Sequence, residues 1–171
     1  KFILSATSAV GGLAALQACP SGTSAETYEE AVRRTWHPDK PDMADGPALQ
    51  RELLRHATLA PSSHNTQCWK FRIEQHAISI LPDFSRRCPA VDPDDHHLFV
   101  SLGCAAENLI QAALAGGLQG EMRFDPSAGG ALRVGLEPTQ AKVSPRFQAI
   151  PERQCTRAEY DGKALTRQEL E

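Results

Sequence analysis

At 171 residues, with 41% hydrophobic and 23% charged side chains, the chain has apolar material for one domain, or one and a piece, and is not globally disordered. A formal charge of −3 leaves no basic excess to neutralise phosphates, which argues against nucleic acid as a partner. The five cysteines (19, 68, 88, 104 and 155) make no C-x-x-C and are odd in number, which argues against zinc knuckles and a dense disulfide scaffold.

Phe2 to Ala18 is apolar or small throughout and carries no charge. It is short for a membrane span, and Gly11-Gly12 weakens it as a core helix. It reads as the h-region of a signal peptide over residues 1–19, with Lys1 as the remnant of a basic n-region; a buried helix is the competing reading. Leu16-Gln17-Ala18-Cys19 resembles a lipoprotein processing box, which makes Cys19 a lipidation candidate, with ordinary cleavage nearby as the alternative. Residues 20–27 read as a polar linker. The expectation is an exported protein of the periplasm or cell envelope that meets membrane only through its signal or lipid anchor. Lys1 in place of Met, and a capping-box pattern at Thr166 and Glu169 on a helix that stops after one turn, lead us to expect a piece of a longer protein.

The body reads as mixed α and β. Tyr28–Trp36 is a short helix closed by Pro38, and Asp39–Pro47 is a loop. Leu49, Leu53, Leu54, Ala57 and Ala60 share one face of a helix that Pro61 ends. Trp69–Glu74 and Ala77–Leu81 flank Gln75-His76 as a hairpin. Asp92 predicts the N-cap of the clearest helix, with Pro93 first and Asp94 and Asp95 on the positive end of its dipole. Its apolar residues, from Leu98 through Leu102, Ala105 and Leu109 to Ala113, cover most of its circumference, so it belongs in the middle of a domain. Gly116-Gly117 ends it. Glu121–Phe124 and Leu132–Leu136 read as strands about a Pro126–Gly130 turn, and Pro145–Ile150 as a short helix.

Ala60 to Trp69 concentrates short hydrogen-bonding side chains between a helix and a strand. Hydroxyls, amides and free backbone N–H groups in a turn suit the edge of a heterocycle or an anionic ring oxygen. A capped turn with no ligand is the competing reading. The order Pro61, Ser62, Ser63, Asn65, Gln67, Trp69 resembles the P-S-S-x-N-x-Q-P-W signature of the nitroreductase family of FMN-dependent flavoproteins, with Cys68 in the position of the second proline. In that family the segment lies against the flavin ring. Arg153-Gln154-Cys155-Thr156-Arg157, followed by Tyr160, resembles the family's R-x-S-x-R motif, whose arginines grip the FMN phosphate. A guanidinium fork matches phosphate geometry, and the Thr156 hydroxyl adds a donor. Taken alone, this piece reads as a solvated arginine-rich turn.

In the plain family the arginine motif comes first, whereas here it follows by about ninety residues. That order resembles a tandem subfamily bearing a twin-arginine-type export signal, and Lys1-Phe2-Ile3-Leu4 resembles the tail of such a signal. The resemblance implies an α+β fold with a central buried helix and a small, mostly antiparallel sheet. It places the first nitroreductase-like half at residues 28–145 and the start of a second at 146–171. It implies FMN as cofactor, bound by Pro61, Ser62, Ser63, Asn65, Gln67, Arg153, Thr156 and Arg157, with the flavin rather than a protein side chain carrying the chemistry. NAD(P)H and a nitroaromatic or quinone-like acceptor are the implied small-molecule partners; the second half of the chain, or a homodimer partner, completes the site. A flavin-sequestering stress protein with little turnover is the alternative. On either reading residues 1–171 alone are expected to be inactive. No metal is expected: Asp94-Asp95-His96-His97 are consecutive and point in different directions. His37, His56 and His76 read as surface or turn residues, and Cys104 as a small core residue.

Overall fold

The computed structural model describes residues 26–37, 46–155 and 158–170. Residues 1–25, which hold the expected signal segment with Cys19 and most of the expected linker, and Thr156 and Arg157 lie outside the described residues. Helix α1 (Tyr28–Trp36) has the expected bounds and opens on a reciprocal cap: Thr27 Oγ accepts the Glu30 N–H at 3.2 Å, and the Glu30 carboxylate accepts the Thr27 N–H at 2.8 Å. Helix α2 (Gly46–Thr58) starts earlier than Leu49, because Gly46 and Pro47 are its first turn rather than loop.

Four antiparallel strands follow: β1 (Trp69–Ile73), β2 (Ala77–Pro82), β3 (Leu118–Asp125) and β4 (Ala131–Pro138). They stand in the order β1-β2-β4-β3. The two hairpins are the predicted ones; in the first Ile73 faces Ile78, and in the second Asp125 faces Ala131. β3 begins earlier than expected, at Leu118. Between the hairpins runs α3 (His96–Ala115), which packs on α2 and on strands β2, β3 and β4. Helix α4 (Pro145–Ala149) closes against α3, and α5 (Arg167–Leu170) is a single exposed turn.

The core is apolar side chains of α2 and α3 laid on one face of the sheet. Leu53, Ile80, Leu102, Leu109 and Val134 have no solvent exposure at all, so the fold is α+β about a central buried helix. Truncating Leu102 or Leu109 to Ala would cost about 2–5 kcal/mol in transfer and cavity energy. Small residues let α3 sit close. Ala105, Ala106, Ala112 and Ala113 are wholly buried, and a Cβ on Gly120 of β3 would lie 2.9 Å from Ile110 Cγ1.

Three expectations are corrected. Helix α3 begins at His96, four residues after Asp92, because Asp95 is left-handed (φ 57°) and breaks the turn before it. Asp92 still caps the helix from below, its carboxylate accepting the N–H groups of His97 (3.1 Å) and Leu98 (3.0 Å), while Asp95 is spent on Arg87 at 2.7 Å. His56 is not a surface residue. It is 4% exposed, its Nδ1 lies 2.8 Å from the Glu52 carbonyl, and its ring packs 4.9 Å from that of Phe147. Cys104 is only half-buried: it packs against the edge of the core and lines a recess shared with the 61–63 loop.

Candidate functional site

The segment from Pro61 to Gln67 leaves α2 and turns back into β1. Three of its residues carry positive φ without being glycine: His64 at 50°, Asn65 at 54° and Gln67 at 49°. Left-handed backbone costs an L-residue of order 1–3 kcal/mol, somewhat less for Asn, and such turns persist only where their surroundings over-determine them. Here the bracing comes from three sides. Ser62 Oγ accepts the Gln67 N–H at 3.0 Å, and the Ser62 carbonyl accepts the Asn65 N–H at 2.9 Å. From α3, the buried Ser101 Oγ accepts the Ser63 N–H at 3.2 Å. From the turn after β2, Arg86 donates to the Thr66 carbonyl at 3.0 Å. The chain then dives inward: Cys68 and Trp69 are buried, so the cysteine in the proline position is a core side chain.

The bracing uses backbone groups and the serine hydroxyls. It leaves Asn65 and Gln67 exposed. Beside them, Pro61, Ser62 and Ser63 form one wall of a recess of about 140 Å³, and His97, Val100, Ser101 and Cys104 of α3 form the other. Small-molecule sites are typically about 300–1,000 Å³. This recess therefore has room for the edge of a ring and not for a whole cofactor.

At the mouth of the recess, His97 Nδ1 lies 3.2 Å from the Asp92 carboxylate. Burial works against charge on Asp92, but the N–H groups of His97 and Leu98 and the imidazole outweigh it and hold its pKa below the ordinary carboxylate value.

Arg153 lies elsewhere. Its Nη2 donates to the Leu59 carbonyl at 3.2 Å, its guanidinium sits 5.8 Å from the centre of the Trp36 ring, and its Nη1 is 3.2 Å from Cys155 Sγ. Its Nε is buried without a partner, an orphaned donor of the kind an anion satisfies. The structure thus gathers Pro61, Ser62, Ser63, Asn65 and Gln67 into one loop. It sets Arg153 against the end of α2, two residues before that loop, and not in the recess. Loop and guanidinium both fit parts of a phosphate-bearing heterocycle: amides and hydroxyls for a ring edge, a buried N–H for an anion. Sequence reasoning missed Ser101 and His97. The available signal was a serine on the apolar stripe of α3, between Leu98 and Leu102, one turn after His97.

No family model matches the chain. Over 118 residues it is 31% identical to proteins from two strains of Mycobacterium tuberculosis, each named "Putative NAD(P)H nitroreductase". The match covers 64% of this chain and 33% of each relative, so the chain spans about a third of the length of the curated relatives it matches. Among solved structures it is similar to the nitroreductase family protein from Streptococcus pneumoniae TIGR4, at 18% identity and a TM-score of 0.46, covering 67% of this chain and 92% of that one.

Proposed function

We propose that this chain is part of an FMN-dependent oxidoreductase of the nitroreductase type, which passes hydride from NAD(P)H to nitroaromatic or quinone-like acceptors. The observation that carries the reading is the loop from Pro61 to Gln67, a costly backbone held by Ser62, Ser101 and Arg86 that leaves Asn65 and Gln67 exposed. Sequence kinship with the mycobacterial relatives supports it. When bound, FMN supplies a ring that takes up and releases hydride.

On this reading the chain's residues bind and orient. Ser62, Ser63, Asn65 and Gln67 hydrogen-bond near the ring, with Pro61 fixing the start of the turn. Arg153, Thr156 and Arg157 hold the phosphate, and the orphaned Nε of Arg153 is a donor available for it. A recess of about 140 Å³ is one wall of a site, so we assign residues 28–145 to one half and the chain from 146 to the start of another. The missing wall comes from that second half or from a homodimer partner. We also propose export through the 1–19 segment with Cys19 as the candidate anchor; mass spectrometry of the native protein should find a mature start at or near Cys19, and an intact Phe2–Ala18 segment on a cytosolic protein would rule it out.

The test of the function is anaerobic addition of NAD(P)H to the purified full-length protein. A yellow protein that bleaches, and recovers its colour on adding a quinone, is the expected result. A colourless protein overturns the reading, and a yellow one that never bleaches turns it into a flavin carrier.

A further inference from the structure

His97 is the one titratable side chain on the recess whose orientation is fixed by an acid. Asp92, 5% exposed, holds it through Nδ1 at 3.2 Å while accepting two backbone N–H groups of the same helix turn. An ionised carboxylate only accepts, so Nδ1 carries a proton and exchange is left to Nε2, an acceptor in the neutral ring and a donor in the imidazolium. The neighbouring groups do not compete for it. Asp95 is committed to Arg87 at 2.7 Å, the His96 ring stands edge-on at 5.3 Å, and Ser101 Oγ donates to the His97 carbonyl at 2.6 Å. Cys104 is the remaining titratable group on the α3 wall, and the facing loop contributes Pro61, Ser62 and Ser63. The recess therefore offers an imidazole nitrogen beside the apolar surfaces of Pro61 and Val100, a pattern suited to the oxygen-bearing edge of an aromatic ring.

We propose that Asp92 and His97 form a proton-exchanging pair at this recess, which takes the oxygen-bearing edge of a phenol- or quinol-type ring on Nε2 of His97. The ring's chemical class rests on the oxidoreductase reading above. A quinone that receives one hydride, derived from the nicotinamide donor, becomes a quinol monoanion. Its charged oxygen takes a proton from Nε2 of the imidazolium, giving the neutral quinol and a neutral imidazole. Water then returns the proton, since the His97 side chain is 63% exposed. One hydride and one proton are consumed per quinone, and the charges balance.

The experiment uses the full-length protein, its His97→Gln variant and, as a neighbouring control, His96→Gln. Each is titrated with 4-nitrophenol and with 4-nitroanisole, the methyl ether that lacks the O–H, and its FMN content is read from the visible spectrum. His97→Gln should lose about tenfold in affinity for the phenol, the worth of one hydrogen bond, while the ether binds all variants alike. Bound nitrophenol should absorb as phenolate in the parent and in His96→Gln, and as phenol in His97→Gln. Unchanged phenol affinity in His97→Gln, or an equal loss for phenol and ether, overturns the proposal. A yellow protein with either of those results leaves the functional reading standing; a colourless protein removes both.

Discussion

Ser101 Oγ accepts the Ser63 backbone N–H at 3.2 Å and donates its own proton to the His97 carbonyl at 2.6 Å, so one buried hydroxyl ties the central helix to the candidate site. The strained loop is thereby registered against the central buried helix. Ser101→Ala removes the acceptor and leaves the Ser63 N–H unsatisfied. We expect a loss of about 1 kcal/mol, or roughly 2–4 °C in Tm, together with faster hydrogen exchange at Ser63. An unchanged exchange rate at Ser63 would show that the loop is braced without Ser101.

The loop's backbone makes the opposite prediction for His64. Its φ of 50° suits glycine, and its side chain is exposed. His64→Gly should therefore stabilise the protein by up to about 1 kcal/mol, relief of left-handed strain outweighing the greater freedom of the unfolded chain. Urea unfolding at constant m-value measures this. A clear loss of stability would mean that the His64 side chain holds the turn in a way its exposure does not reveal.

What was legible in the sequence follows from range. The bounds of α1, the two hairpins and the apolar stripe of α3 are set by residues within a turn or two of one another, and the structure bears them out. The start of α3 was misplaced because Asp92 caps across a left-handed Asp95, and a side chain that reaches five or six residues forward leaves no local pattern. The burial of His56 was available: it lies three residues after Leu53, on the face that α2 turns inward. Strain in the 64–67 turn was hidden because the stretch contains no glycine to announce it. The stacking of Arg153 on Trp36 and its bond to Leu59 join residues about a hundred apart, beyond any motif.

His56 should give the protein a pH-dependent stability. Burial pushes its pKa below the ordinary imidazole value, with Arg55 adding to the effect and the Glu52 carbonyl opposing it. The unfolded chain therefore binds more protons than the folded one just below the ordinary value, and unfolding free energy rises with pH there. Stability should be full near pH 8 and fall as pH drops through about 6.5, where the unfolded imidazole titrates. Urea unfolding at pH 8 and pH 5.5 tests this. In His56→Leu the difference between the two pH values should shrink; an equal difference in the variant would assign the dependence to other groups.

The last prediction separates two jobs of the proposed flavin site. Arg153 and Arg157 are assigned to the phosphate, Asn65 to the ring, and substitutions there should differ in kind. Arg157→Ala removes a charge-assisted bond of roughly 1.5–3 kcal/mol, or about ten- to hundredfold in FMN affinity. Arg153→Ala should lose affinity and stability together, because that guanidinium also holds the Leu59 carbonyl and packs on Trp36. Asn65→Gly should do neither of these. Its φ of 54° favours glycine, so the fold should gain a few tenths of a kcal/mol, while loss of the exposed amide shifts the flavin's reduction potential and slows its reduction. FMN titration, urea unfolding and anaerobic photoreduction of the same preparations read the three effects separately. If Arg157→Ala kept full FMN affinity while Asn65→Gly abolished it, the roles would have to be exchanged between the two segments.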